Sequence, residues 1–96
     1  MAHKAVAHRA SDDVAVAVGD LVPGEVIAVL VLEGGFPPLS VRVGEAIALG
    51  HKVALRDLRP GQAVTEYGEQ IGRTTQPVAA GMHVHVHNIQ SARWPA

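Results

Sequence analysis

Ten glycines and six prolines cut this 96-residue chain into short pieces, and none of the pieces reads as a helix. An amphipathic helix needs apolar residues at i, i+3, i+4 and i+7 over about eleven residues or more. No such stretch survives the punctuation. What lies between the breaks has the two-residue period of strands. Val14, Val16 and Val18 alternate with Asp13, Ala15 and Ala17, and Val84 and Val86 alternate with His83, His85 and His87. The apolar run from Val26 to Leu32, bounded by Pro23-Gly24 and Gly34-Gly35, reads as a buried strand. The expected class is all-β: one domain over residues 1–96, with 89–96 as a C-terminal tail and a helical turn near Leu55–Arg59.

The glycines also recur in a pattern, apolar-x-x-Gly-x-x-apolar. It occurs as Leu21…Gly24…Ile27, Ile47…Gly50…Val53, Leu58…Gly61…Val64 and Val78…Gly81…Val84. Each glycine can adopt positive φ in a tight turn and release the chain into a strand. The glycines are offset by 26, 11 and 20 residues, so there is no solenoid period. The pattern speaks for turn-connected strands more strongly than for a duplication.

Composition then limits the partners. Ala and Val number fifteen each, while Phe36, Tyr67 and Trp94 are the only aromatics, so the core is β-branched and thin. A chain of this size buries only about 60–68% of its unfolded surface, and a partner chain is expected. Self-association is open to the isolated chain on the same ground. A net charge of −1 supplies no basic stripe for nucleic acid, and the absence of cysteine excludes disulfides and thiolate metal sites. The longest apolar run is seven residues, far below the ~20 of a spanning helix, and the first residues form no apolar export segment. No membrane association and a cytoplasmic location are therefore expected. Phe36 sits in a Gly- and Pro-rich loop, either as an exposed contact or folded onto the core. Trp94 is expected to pack on this domain or on a partner.

The densest chemistry lies in His83-Val84-His85-Val86-His87-Asn88. On an extended strand the three imidazoles would share one face, with neighbouring Cα atoms about 6.5 Å apart and the outer pair ~13 Å apart. Such a wall can supply general acid/base groups or one or two metal ligands. His51-Lys52, at the Gly50 turn, is a second candidate that can face a carboxylate or sulfonate, or be a solvated pair. His8 with Asp12-Asp13 is a third, either metal ligands or an Asx turn. Tyr67 reads as a packed side chain rather than a proton donor. No Ser-His-Asp order, phosphate loop or dinucleotide fingerprint is present. The clusters suggest half of a site.

Three ordered blocks carry a family resemblance: Gly50-His51-Lys52-Val53-Ala54-Leu55-Arg56-Asp57-Leu58, Tyr67-Gly68-Glu69-Gln70-Ile71-Gly72, and Gly81-Met82-His83-Val84-His85-Val86-His87-Asn88. From about His8 to Asn88 the chain resembles the small SAF (β-clip) domain of the altronate and galactarate dehydratase family. Small subunits of sulfolactate sulfo-lyase are relatives of the same type, and the ending Asn88-Ile-Gln-Ser-Ala-Arg93-Trp94 looks more like theirs. Many dehydratase members carry Asn where Asp13 stands.

The resemblance implies a compact β-clip fold and a small subunit of a two-component hydro-lyase acting on a sugar acid such as altronate or galactarate. Sulfite elimination from sulfolactate is the alternative. It further implies a large catalytic subunit as partner, a small acidic substrate, and a divalent metal, typically Fe2+ with Mn2+ or Mg2+ as alternatives, held largely by that partner. On this chain it implies His83, His85 and His87 as catalytic groups and His51, Lys52 and Asn88 as substrate-binding groups. His8 and Asp12 would hold the metal or the substrate 2-hydroxyl. Competing readings are a stand-alone β-clip ligand-binding module and a simple metal-binding protein using the histidine strand.

Overall fold

The computed structural model describes residues 3–91, and these form strands, turns and bends without a helix. Nine strands follow in order: β1 (Ala5–Ala7), β2 (Val14–Ala17), β3 (Val26–Val31), β4 (Leu39–Arg42), β5 (Lys52–Ala54), β6 (Ala63–Glu66), β7 (Glu69–Thr74), β8 (His83–Val84) and β9 (Ile89–Ser91). They make a six-stranded sheet ordered β4-β3-β1-β2-β5-β8 and a three-stranded sheet ordered β6-β7-β9. The β1–β3 pair is parallel and the other pairs are antiparallel. This is the expected all-β architecture of a β-clip domain.

Two expectations are corrected. Leu55 and Arg56 form a bend and Leu58 an isolated bridge to Val78, so no helical turn exists there. Ile89–Ser91, assigned above to the tail, are strand β9, paired with β7 from Gly72 to Thr74. Trp94 lies outside the described residues.

The glycine pattern turns out to be architectural. The first apolar residues of its copies bridge in pairs, Leu21 with Ile47 and Leu58 with Val78, each by two reciprocal backbone hydrogen bonds of 2.7–3.1 Å. Gly24, Gly50, Gly61 and Gly81 all take positive φ, between 75° and 88°, which only glycine adopts without cost. A carboxylate braces each pair at the same place. Asp20 accepts the Leu49 N–H and Asp57 accepts the Ala80 N–H, both at 2.9 Å. The eight apolar anchors are buried and divide cleanly, Leu21, Ile27, Ile47 and Val53 in one core cluster, Leu58, Val64, Val78 and Val84 in another.

Strand β2 explains why both clusters hold together. Its alanines, Ala15 and Ala17, face the first cluster, while Val14 belongs to the second. Successive side chains on a strand point to opposite faces, so a strand lying between two cores must be apolar on both. Small alanines allow close approach on one side. Val18, one residue beyond the strand, is exposed.

Candidate functional site

Strand β8 is only two residues long, and the chain turns immediately after Val84. The histidine run is therefore a turn rather than an extended strand, and Val86, which a strand would place on the face opposite the rings, is 81% exposed. Asn88 makes the turn. Its side-chain oxygen accepts the His85 N–H at 2.9 Å and its amide nitrogen donates to the His83 carbonyl at 2.7 Å. The His85 carbonyl accepts the N–H groups of Asn88 and Ile89, both at 3.0 Å. Upstream, the Glu45 carboxylate accepts the His83 N–H at 3.0 Å. Asn88 is buried by this role. Its amide is committed to the backbone and organises the rings rather than facing a ligand itself.

The turn gathers more imidazoles than a strand could. His83 lies 5.2 Å from His85 and 5.4 Å from His87, centroid to centroid. His51 joins from β5's leading edge, 5.0 Å from both His83 and His85. The pairing of β5 with β8 makes this possible, since Val53 opposite His83 and Lys52 opposite Val84 bring His51 alongside the turn. His51 Nδ1 and His83 Nε2 are 2.9 Å apart, so one carries the proton and the other accepts it. Burial pushes the His83 pKa below its ordinary value, and repulsion from His51, His85 and His87 lowers it further against the opposing pull of Glu45. His83 is thus held neutral at neutral pH, as a base or hydrogen-bonding group rather than a fixed cation. A cleft of about 160 Å³ opens beside the cluster, lined by Gly50, His51, Lys52, Val84 and His85.

Lys52 does not stand with His51 as a cationic pair. Adjacent strand residues point to opposite faces, and the Lys52 ammonium lies 3.8 Å from the Glu66 carboxylate while His51 bonds to His83. Its charge links the two sheets, and the residue also lines the cleft.

His8 and Asp12 are drawn to a different corner. Asp12 is fully buried, and its carboxylate accepts three backbone N–H groups, from Arg9 (3.2 Å), Tyr67 (3.0 Å) and Gly68 (3.2 Å). His8 stacks on Tyr67 with centroids 4.0 Å apart. Asp13 ties the same seam, accepting the Thr65 N–H at 2.8 Å and facing Arg56 at 3.6 Å. A divalent cation needs carboxylate oxygens free to coordinate, and those of Asp12 are spent on amides. Among the described residues no three His, Asp or Glu side chains converge on one cation position. The donor set of this chain does not fit the metal that the resemblance implies.

Sequence reasoning passed over Glu45, which braces the histidine turn, and Arg9, which sits beside His8; Tyr67, read as a packed side chain, stacks on His8 but stays half exposed. Glu45 has no local signal, since its partner is 38 residues away. Tyr67-Gly68 did carry one. A two-residue insertion between Glu66 and Glu69 is the slot of a type I′ hairpin, normally Asn-Gly, and both residues here take positive φ, 58° and 74°.

Comparison with known proteins decides the family. The model of the altronate/galactarate dehydratase SAF domain matches residues 3–92. The chain belongs to this family. It is 40% identical over 90 residues to the (2R)-sulfolactate sulfo-lyase subunit alpha of Chromohalobacter salexigens, covering 93% of this chain and 95% of that one. It is 39% identical over 83 residues to the altronate dehydratase of Escherichia coli, covering 86% of this chain but only 15% of that enzyme. The subunit alpha of Paracoccus pantotrophus is 46% identical over 48 residues, half of this chain and 72% of its own length. The expected lyase-related SAF domain is thereby established, and its relatives include both a free-standing subunit and part of a much longer chain.

Proposed function

We propose that this chain is the small component of a lyase that eliminates sulfite from a 2-hydroxy-3-sulfonic acid of the sulfolactate type, working with a larger chain. The observation that carries the choice of leaving group is sequence similarity: one sulfolactate sulfo-lyase subunit alpha matches 93% of this chain at 40% identity, and a second matches half of it at 46%. Water elimination from a sugar acid such as altronate is the second reading, favoured by the comparable identity of 39% in the matched segment.

In either reaction the proton on the carbon bearing the hydroxyl is removed, the neighbouring C–S or C–O bond breaks, and the leaving group departs with its electron pair. The resulting enol becomes a keto acid. The reaction needs a base, hydrogen-bond donors for the charge growing on the carboxylate, and help for the leaving group. His83, neutral and touching three other rings, is suited to accept or relay a proton. His51 and His85 flank the 160 Å³ cleft and present the polar edge on which an acid group would lie. His87 completes the cluster, with Asn88 fixing the turn that carries it. Any divalent metal would be held by the larger chain, because Asp12 is committed to backbone amides.

The test is co-expression with the larger lyase chain of the same organism, followed by assays of sulfite release from (2R)-sulfolactate and water loss from altronate. His83→Ala is expected to lower turnover on the true substrate by at least about 10²-fold, the usual worth of a positioned acid/base group. Full turnover in the His83→Ala and His51→Ala complexes would overturn the assignment.

A further inference from the structure

Phe36 and Tyr67, the only aromatic residues of Phe, Tyr or Trp type in the described part of the chain, are both on the surface. Phe36 is 55% exposed and Tyr67 52%, while the cores are built from Ala, Val, Leu and Ile. An aromatic-poor chain would stabilise itself most by burying these rings. The structure instead holds each ring outward by a specific backbone device.

Tyr67 occupies the left-handed region at φ 58°, costly for a residue with a bulky side chain. The buried Asp12 carboxylate enforces it by accepting the Tyr67 and Gly68 N–H groups. Phe36 folds over Gly34, whose φ is 89° and where an added Cβ would sit 2.6 Å from the ring. Pro37 and Pro38 stiffen the chain just after it. Arg9 joins the two. Its guanidinium lies 5.8 Å from the Tyr67 centroid, packs against Gly68 so closely that a side chain there would collide, and faces Glu33 at 3.4 Å. Arg9, Glu33, Gly34 and Phe36 line one hollow of about 360 Å³. His8 backs the patch by stacking on Tyr67, and its carbonyl accepts the Glu33 N–H at 2.9 Å.

From this geometry we infer that Arg9, Phe36 and Tyr67 form the docking surface for the larger lyase chain. Aromatic and arginine side chains dominate the energetics of protein interfaces. Rings already fixed in place lose little freedom on binding, which raises affinity without adding contacts. The occupant is a protein surface with an apolar recess for the two rings and an acceptor for the Tyr67 hydroxyl, which has no hydrogen-bond partner among the described residues. The choice of the larger chain rests on the function proposed above, and on the E. coli altronate dehydratase, where the matched segment is joined to a remainder of 85% of the enzyme.

The experiment is affinity capture by the tagged full chain in its own organism, the captured protein being identified as a chain similar to the remainder of altronate dehydratase. Tyr67→Asn is the informative variant, because Asn tolerates the left-handed conformation and the hairpin is kept. It should melt no lower than wild type yet capture at least tenfold less of the larger chain. Phe36→Ser should do the same, and Leu49→Ser, at an exposed apolar residue outside this hollow, should capture like wild type. Capture by Tyr67→Asn and Phe36→Ser within twofold of wild type overturns the docking surface while leaving the lyase function intact. Loss of capture in Leu49→Ser moves the interface elsewhere and also overturns it. If wild type captures no such chain, the two-component function falls, and the docking surface with it. Self-association that Tyr67→Asn abolishes would make a second copy the occupant.

Discussion

The histidine turn and the tyrosine hairpin solve one problem in two ways. Each presents rings on a backbone pinned chiefly by one buried polar side chain. In the histidine turn the pin is local, since Asn88 bonds to His85 and His83, three and five residues away. It is also neutral, offering one acceptor and one donor to a carbonyl and an N–H. At the hairpin the pin is remote, with Asp12 reaching Tyr67 and Gly68 across 55 and 56 residues. Here every partner is an N–H, and only a carboxylate is acceptor on all sides. The difference teaches what each pin does for the whole molecule. Asn88 shapes one turn, whereas Asp12, with Asp13 bonding Thr65, fastens the second sheet to the first.

Removing the pins should expose that contrast. Asp12→Ala leaves three N–H groups without their buried acceptor and is expected to cost about 3 kcal/mol of global stability, read from urea unfolding. Asp12→Asn should cost nearly as much, because an amide turns a donor toward donors; a loss below about 1 kcal/mol would show that the brace is unimportant.

Asn88→Ala is expected to cost less, about 2 kcal/mol, and to act locally. Hydrogen exchange should quicken at the His85 and Ile89 amides while the strand amides of β1 and β3 stay protected. Uniform loss of protection would erase the distinction between a local and a global pin.

The smallest effect is a pH slope confined to the histidine turn. With its pKa below the ordinary 6.5, folded His83 resists protonation that the unfolded chain accepts. The unfolded state then binds more protons, so this contribution is whole above about pH 6.5 and is lost as pH falls from there toward the depressed value. Urea midpoints at pH 7.5 and 5.5 should converge in His83→Gln relative to wild type. An unchanged difference would mean that His83 takes no part in the slope.

How far the sequence could be read follows the same division between near and far partners. The glycine turns were legible because positive φ is a property of the residue itself, and all four repeat glycines adopt it. The strand class was legible because a two-residue period survives any packing. The histidine cluster was found as a group, but its shape was not: the bond from Asn88 bends the run, and strand pairing imports His51. Lys52 and Asp12 looked like ligands because charge is visible in a sequence and its partner is not. Glu66 claims one and the amides of Arg9, Tyr67 and Gly68 the other.

By itself, then, the sequence determined an all-β chain of short strands, a repeating turn and a reservoir of imidazoles, each a consequence of local stereochemistry or composition. The tertiary structure alone decided which polar side chains are free for chemistry. A buried carboxylate or amide must be satisfied, and the nearest unsatisfied backbone group is set by how distant strands meet. That rule made Asp12 and Asn88 into scaffolding, left four histidines clustered beside one small cleft, and turned two aromatics outward from a core made without them.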